Sequence, residues 1–172
     1  MDRPTRKPMR LKGHDYSTPG AYFITICTRD KRCILSSIEN PPGEAVGAAT
    51  SRPPNKAASV LLTAIGEIVD LAIRNMQAAY PTVSVEKYVI MPNHVHLLLR
   101  IGAGDDGRMI SAPTINTVVG QMKRWASRQA GHALWQKSFY DHIVRNEDDY
   151  RRTAEYIDAN PARWAEDRFY GK

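Results

Sequence analysis

Cysteine is scarce: the 172 residues hold two, Cys27 and Cys33. Six residues apart and with no second pair, they build neither a zinc ribbon nor a disulfide framework. Two ordinary thiols suit a reducing, cytoplasmic setting. Long apolar runs are missing as well. No stretch of about 18 consecutive apolar residues occurs, so no membrane-spanning helix is predicted. The start of the chain is basic (Arg3, Arg6, Lys7, Arg10, Lys12) but has no apolar segment behind it, so it does not read as a signal peptide. Acidic charge is the minority sign, with 18 Asp and Glu against 24 Lys and Arg, a formal net charge of +6. With 42% hydrophobic and 24% charged residues, the composition excludes a disordered acidic chain and a collagen. It suits one globular domain, and a chain of this length buries roughly 70% of its unfolded surface. The positive excess points to an anionic partner such as a phosphate backbone.

Residues 1–13 read as a basic N-terminal arm. Residues 14–172 read as a single domain with a loop insertion at about 40–58, a stretch of Pro, Gly, Ala, Ser and Asn without periodicity. Pro19-Gly20 signals a turn, and Ala21 to Thr28 is rich in aromatic and β-branched residues, as a strand is. After the polar turn Arg29 to Arg32, Cys33-Ile34-Leu35 is expected to begin a strand that partners the first. Thr63 is a candidate N-cap for a helix whose stripe is Ile65, Ile68, Val69, Ala72, Met76 and Ala79, ended by Tyr80-Pro81. Val83 to Met91 and His94 to Ile101 form a hairpin about Pro92-Asn93, and Gly102 to Gly107 is a loop. A second helix runs from about Thr114 to Ala130, with Gly131 as its C′ residue. Leu134 to Val144 reads as a strand or extended arm, with Trp135 and Phe139 assigned to the core. A third helix starts after the N-cap Asn146, with three acids in its first turn, and ends near Asn160 ahead of Pro161. Tyr150, Ala154 and Ile157 on it are expected to face the core. A short tail helix extends to Arg168. This order predicts an α+β protein, an antiparallel sheet with packed helices of ferredoxin-like type.

Side chains alternate along a strand, so His94 and His96 share one face while Val95, Leu97 and Leu99 share the other. Two imidazoles at this spacing either hold one metal ion or are simply half-exposed strand histidines. On the third helix Tyr156 and Asn160 lie one turn apart, about 100° around from the core stripe. The tyrosine is either a nucleophile or a packed aromatic, and the asparagine either an oxygen ligand or a helix-terminal residue.

The segment Tyr88-Val89-Ile90-Met91-Pro92-Asn93-His94-Val95-His96-Leu97-Leu98-Leu99 resembles the HUH motif of the single-tyrosine (Y1) transposases. Trp135 to His142, Ile143 to Tyr150 and Tyr156-Ile157-Asp158-Ala159-Asn160-Pro161 resemble the REP-associated tyrosine transposases. The opening Pro19 to Thr25 is similar too, and the resemblance spans roughly residues 14 to 169. It implies the HUH endonuclease fold and an enzyme that cuts and rejoins single-stranded or hairpin DNA at palindromic repeats through a 5′-phosphotyrosine. His94 and His96 match the family's metal ligands and Tyr156 its nucleophile. Asn160 matches the polar residue one turn later, where insertion-sequence members more often have glutamine. The metal implied is Mg²⁺ or Mn²⁺, whereas imidazole ligands alone suggest zinc. Candidate DNA contacts are Lys123, Arg124, Arg128, His142, Arg145, Arg151 and Arg152, with Trp125 available to stack on a base. The resemblance is compatible with a monomer or a homodimer associated with the nucleoid. The alternative function is a hairpin-binding protein that has lost catalysis.

Overall fold

The computed structural model describes residues 18–39, 58–102, 113–167 and 169–170. The arm at 1–13, all but the last residue of the 40–58 insertion, and the 102–107 loop beyond Gly102 lie outside the described residues. The first strand, β1 (Gly20–Cys27), sends Tyr22, Ile24 and Ile26 into the apolar core. Phe23 and Thr25 take the other face, as the two-residue period of a strand requires. Strands β4 (Val83–Ile90) and β5 (His94–Ile101) form the expected hairpin about Pro92-Asn93, closed by a hydrogen bond from Met91 N to the His94 carbonyl at 2.8 Å. The sheet is completed by β6 (Tyr140–Val144) and runs β4-β5-β1-β6, antiparallel throughout. With a helical crossover before β4 and another before β6, this is the ferredoxin-like arrangement.

One expected pairing does not form. The strand after the polar turn, β2 (Ser36–Glu39), pairs with β3 (Ser59–Leu62) in a separate two-stranded ladder rather than with β1. Both edges of β1 are already taken by β5 and β6. The connecting turn Arg29–Lys31 holds Asp30 and Lys31 at φ 56° and 53°, and beyond it Leu35 N bonds to the Pro92 carbonyl at 3.0 Å rather than to β1.

The first helix is broken in two, α1 (Ala64–Arg74) and α2 (Met76–Ala79), at Asn75, whose N–H bonds back to the Leu71 and Ile73 carbonyls. Thr63 caps α1, its hydroxyl accepting from Gly66 N at 3.1 Å. The next helix, α3 (Ile115–Gln129), is capped by Thr114 and followed by Gly131 at φ 73°. Helices α1 and α3 pack together over one face of the sheet. Val69, Ile73, Ile115, Val118 and Met122 meet Ile24, Val95, Leu97 and Leu99 there. Trp135 and Phe139 join this core as expected.

Helix α4 (Glu147–Ala159), capped by Asn146 through Asp149 N at 2.9 Å, lies against β4 and β5 on the opposite face. The main core is therefore out of its reach. Of the expected core stripe only Ile157 is fully buried, Ala154 is half-buried, and Tyr150 donates its hydroxyl to Glu86 at 2.8 Å. The expected tail helix is a short 3-10 segment, Pro161–Glu166.

Candidate metal centre and tyrosine site

The site grows from the first residues of β5. His94 and His96 project from the face away from the main core and are 0% and 1% exposed. Their Nε2 atoms stand 3.0 Å apart. The far nitrogen of each ring is also held. Nδ1 of His94 lies 2.9 Å from Asn93 Oδ1, and Nδ1 of His96 lies 2.9 Å from Thr25 Oγ1. Asn93 fixes a tautomer. Its amide nitrogen donates to the Lys31 carbonyl at 3.3 Å and the Phe169 carbonyl at 2.8 Å, so the oxygen end faces His94. An amide oxygen only accepts, so Nδ1 of His94 carries the proton and neutral His94 aims the Nε2 lone pair at His96. Thr25 Oγ1 can accept from Nδ1 of His96, and in that tautomer both lone pairs converge. That is how ligating histidines are oriented by the groups behind them.

Helix α4 supplies the next two residues. Tyr156 is 42% exposed, its ring 5.2 Å from that of His96 and 5.9 Å from that of Phe23. It stands between two clefts. One, of about 370 Å³, is lined by Phe23, His96, Arg152, Thr153 and Tyr156. The other, of about 320 Å³, is lined by Tyr156, Asn160, Arg163, Asp167 and their neighbours. Asn160, one turn on, is 4% exposed, and its Oδ1 is buried with no hydrogen-bond partner among the described residues. A buried oxygen in that condition costs about 1–3 kcal/mol, so it is poised for a ligand.

Sequence patterning missed Asp167. Ligand atoms of His94, His96 and Asp167 all lie within 4.8 Å of one another. Asp167 accepts from Asn160 Nδ2 at 3.3 Å and from Phe169 N at 2.7 Å. The turn that brings it back also sets Trp164 and Phe169 against the His94 ring, with centroids 5.9 and 4.6 Å away. No periodicity relates Asp167 to the histidines, because a turn opened by Pro161 intervenes.

The predicted cationic residues divide between the two sides of the sheet. Arg152 lines the Tyr156 cleft. His142 Nε2 meets Asp149 Oδ2 at 2.9 Å, and the same oxygen accepts from Arg145 N at 3.1 Å. The Arg145 backbone N–H, then His142, hold the Asp149 carboxyl below its usual range. Lys123, Arg124, Trp125 and Arg128 sit on α3, across the sheet from the histidine pair. Lys123 donates to the carbonyls of Gln136 at 2.8 Å and Ser138 at 3.2 Å, and burial pushes its pKa down. Trp125 is half-buried against the core. The structure thus gathers His94, His96, Tyr156, Asn160 and Arg152, and does not bring the α3 cations to them.

This fold is that of a solved REP-associated tyrosine transposase bound to a REP hairpin, with a TM-score of 0.59 and 20% identity over 90% of this chain and 74% of that one. In sequence, the chain is 29% identical over 112 residues to a REP-associated tyrosine transposase of Escherichia coli, a match covering 61% of this chain and 59% of that protein. It is also 29% identical to an uncharacterised protein of Haemophilus influenzae over 96% of this chain and 93% of the relative. No family model matches the chain. The chain is therefore a relative of the REP-associated tyrosine transposases. No helix among the described residues is long and apolar enough to cross a membrane.

Proposed function

We propose that this protein is a metal-dependent single-stranded DNA endonuclease and strand transferase acting at DNA hairpins, with Tyr156 as its nucleophile. The observation that carries the reading is the exposed Tyr156 phenol set against the buried His94–His96 pair, beside the unpartnered Asn160 Oδ1. Two imidazoles with an amide or carboxylate oxygen make a donor set that suits a divalent first-row ion. His94 and His96, with Asn160 or Asp167, would hold Mg²⁺ or Mn²⁺, which supplies a Lewis acid for a non-bridging phosphate oxygen. The solved structural neighbour is bound to a REP hairpin, and palindromic repeats are the substrate class proposed for this chain.

Tyr156 Oη attacks the phosphorus. The Oη–P bond forms as the bond from phosphorus to the 3′ oxygen breaks. The phenolic proton passes to solvent in the open cleft, and the departing oxygen takes up a proton to become a 3′-hydroxyl. The product is a 5′-phosphotyrosine, which conserves the phosphodiester bond, and a second 3′-hydroxyl reverses the step and restores the phenol. Arg152, on the cleft wall beside Tyr156, would hold a phosphate flanking the scissile one.

The test is a covalent-adduct assay with single-stranded hairpin oligonucleotides and Mn²⁺, resolved on a denaturing gel. Tyr156→Phe is expected to abolish the adduct and leave DNA affinity nearly intact. An adduct that survives the substitution overturns the assignment of Tyr156. Binding by the unaltered protein without any adduct identifies a hairpin-binding protein instead.

A further inference from the structure

Helix α4 covers only part of the sheet face on which it lies. It packs on β4 and β5, and the same face of β1 and β6 continues beside it. The register says which side chains that strip presents. Phe23 pairs with His142, and Thr25 pairs with His96 on one side and Tyr140 on the other. Phe23, Tyr140 and His142 therefore share the face that carries His96. Tyr140 is 44% exposed and His142 is exposed beside it, while the alternating residue Ile143 packs into the core.

We infer that the Phe23–Tyr140–His142 strip is a stacking platform for an unpaired base of the DNA strand adjoining the scissile phosphate. This rests on the reading of the site given above. Three observations favour single-stranded DNA as the occupant. The strip runs directly into the Tyr156 cleft, because Phe23 belongs to both and already meets the rings of His96 and Tyr156, at 5.2 and 5.9 Å. Its flank on α4 carries Arg152, a group that suits a phosphate. Its length is also right. Tyr140 lies two strand spacings from His96, about 10 Å at ~4.8 Å per strand, so a base there belongs to a nucleotide close to the cut. Aromatic residues on an exposed sheet face are a recurrent way of holding splayed bases, and they tolerate many sequences because every base has a flat face.

The probe is a set of short single-stranded oligodeoxynucleotides, each with one fluorescent purine analogue whose emission is quenched by stacking. The unaltered protein should quench the analogue at one or two adjacent positions. Tyr140→Leu keeps an apolar side chain on the strand but removes the ring. It should abolish that quenching and weaken binding by about five- to a hundredfold. Tyr140→Phe keeps the ring and should preserve both. Thermal melting of each variant separates loss of stacking from loss of fold. Unchanged quenching and affinity in a folded Tyr140→Leu overturn the platform even where the Tyr156 adduct forms. Quenching that depends on the Tyr140 ring supports it even where no adduct appears, and the failure then belongs to the catalytic reading alone.

Discussion

Asn93 sets the protonation of its neighbour His94, and this is a residue-scale effect no motif records. Its amide nitrogen is committed to two backbone carbonyls, so the oxygen must face Nδ1 and the Nε2 lone pair must face the site. Removing such a supporting group commonly costs about 10–100-fold in metal affinity. Asn93→Ala is therefore expected to weaken Mn²⁺ binding by about that factor in titration calorimetry, while both histidines remain. The oxygen donor is tested in the same way. Asp167→Asn removes a charge that lies among the histidine nitrogens and should lower Mn²⁺ affinity by about tenfold or more. Affinity unchanged in that variant would leave the buried Asn160 Oδ1 as the oxygen ligand. How far these residues can be read from sequence follows from their periodicity. His94 and His96 are legible as neighbours because a strand alternates, and Tyr156 and Asn160 because a helix returns every fourth residue, while their roles come only from the resemblance to the single-tyrosine transposases. Asp167 and the Asn93 amide are not, because a turn and a side-chain orientation place them, and neither leaves a period.

At the scale of elements, Thr63 and Gly66 join the small ladder to α1. Thr63 caps the helix and also gives its N–H and hydroxyl to the Leu35 and Ile34 carbonyls, at 3.0 and 2.7 Å. That draws the first turn of α1 so close to the chain after β1 that a Cβ at Gly66 would overlap the Leu35 carbonyl oxygen. Backbone on both sides gives little room to yield. Gly66→Ala should destabilise the protein by about 1–3 kcal/mol, seen as a lower urea midpoint with an unchanged slope. The alanine gain in helix propensity, at most ~1 kcal/mol, is too small to reverse the sign. The cap was legible as a threonine ahead of an apolar stripe. The break at Asn75 was not, because Met76 and Ala79 keep the stripe in phase across it. The misassigned partner of β1 has a related cause. Two short strands joined by a polar turn look like a hairpin, and it is the long-range pairing of β5 and β6 with both edges of β1 that denies it. Likewise α4 has a clear N-cap in its sequence, but its docking depends on Glu86, which a break in the β4 register leaves unpaired with β5 and which accepts from Tyr150 and Arg100.

Across the whole molecule the order of strands and helices was enough to suggest the ferredoxin-like sheet, since two helical crossovers and one tight hairpin leave few ways to arrange four antiparallel strands. Electrostatics at this scale needs the structure, because the groups that tie layers together titrate away from their usual ranges. Burial opposes ionisation of Glu86, but hydrogen bonds from Ser84, Tyr150 and Arg100 outweigh it and lower its pKa. Asp149 is lowered as well, by the Arg145 N–H and by His142. Depressed carboxylates contribute stability that is present above their unfolded values of about 4 and is lost as pH falls through the folded ones. The alkaline side belongs to Tyr88 on β4. Burial first, then the hydrogen bond it donates to Asp70 at 2.6 Å, push its phenol up to about 12. The unfolded phenol ionises near 10. This contribution is therefore full below about pH 10 and disappears as the pH climbs from there to about 12. Thermal melts of the unaltered protein and Tyr88→Phe across that interval should show the variant less stable at about pH 9 and the two curves converging towards about pH 12. A stability gap that stays constant throughout would mean that the Tyr88–Asp70 bond does not hold the Tyr88 proton in the folded state.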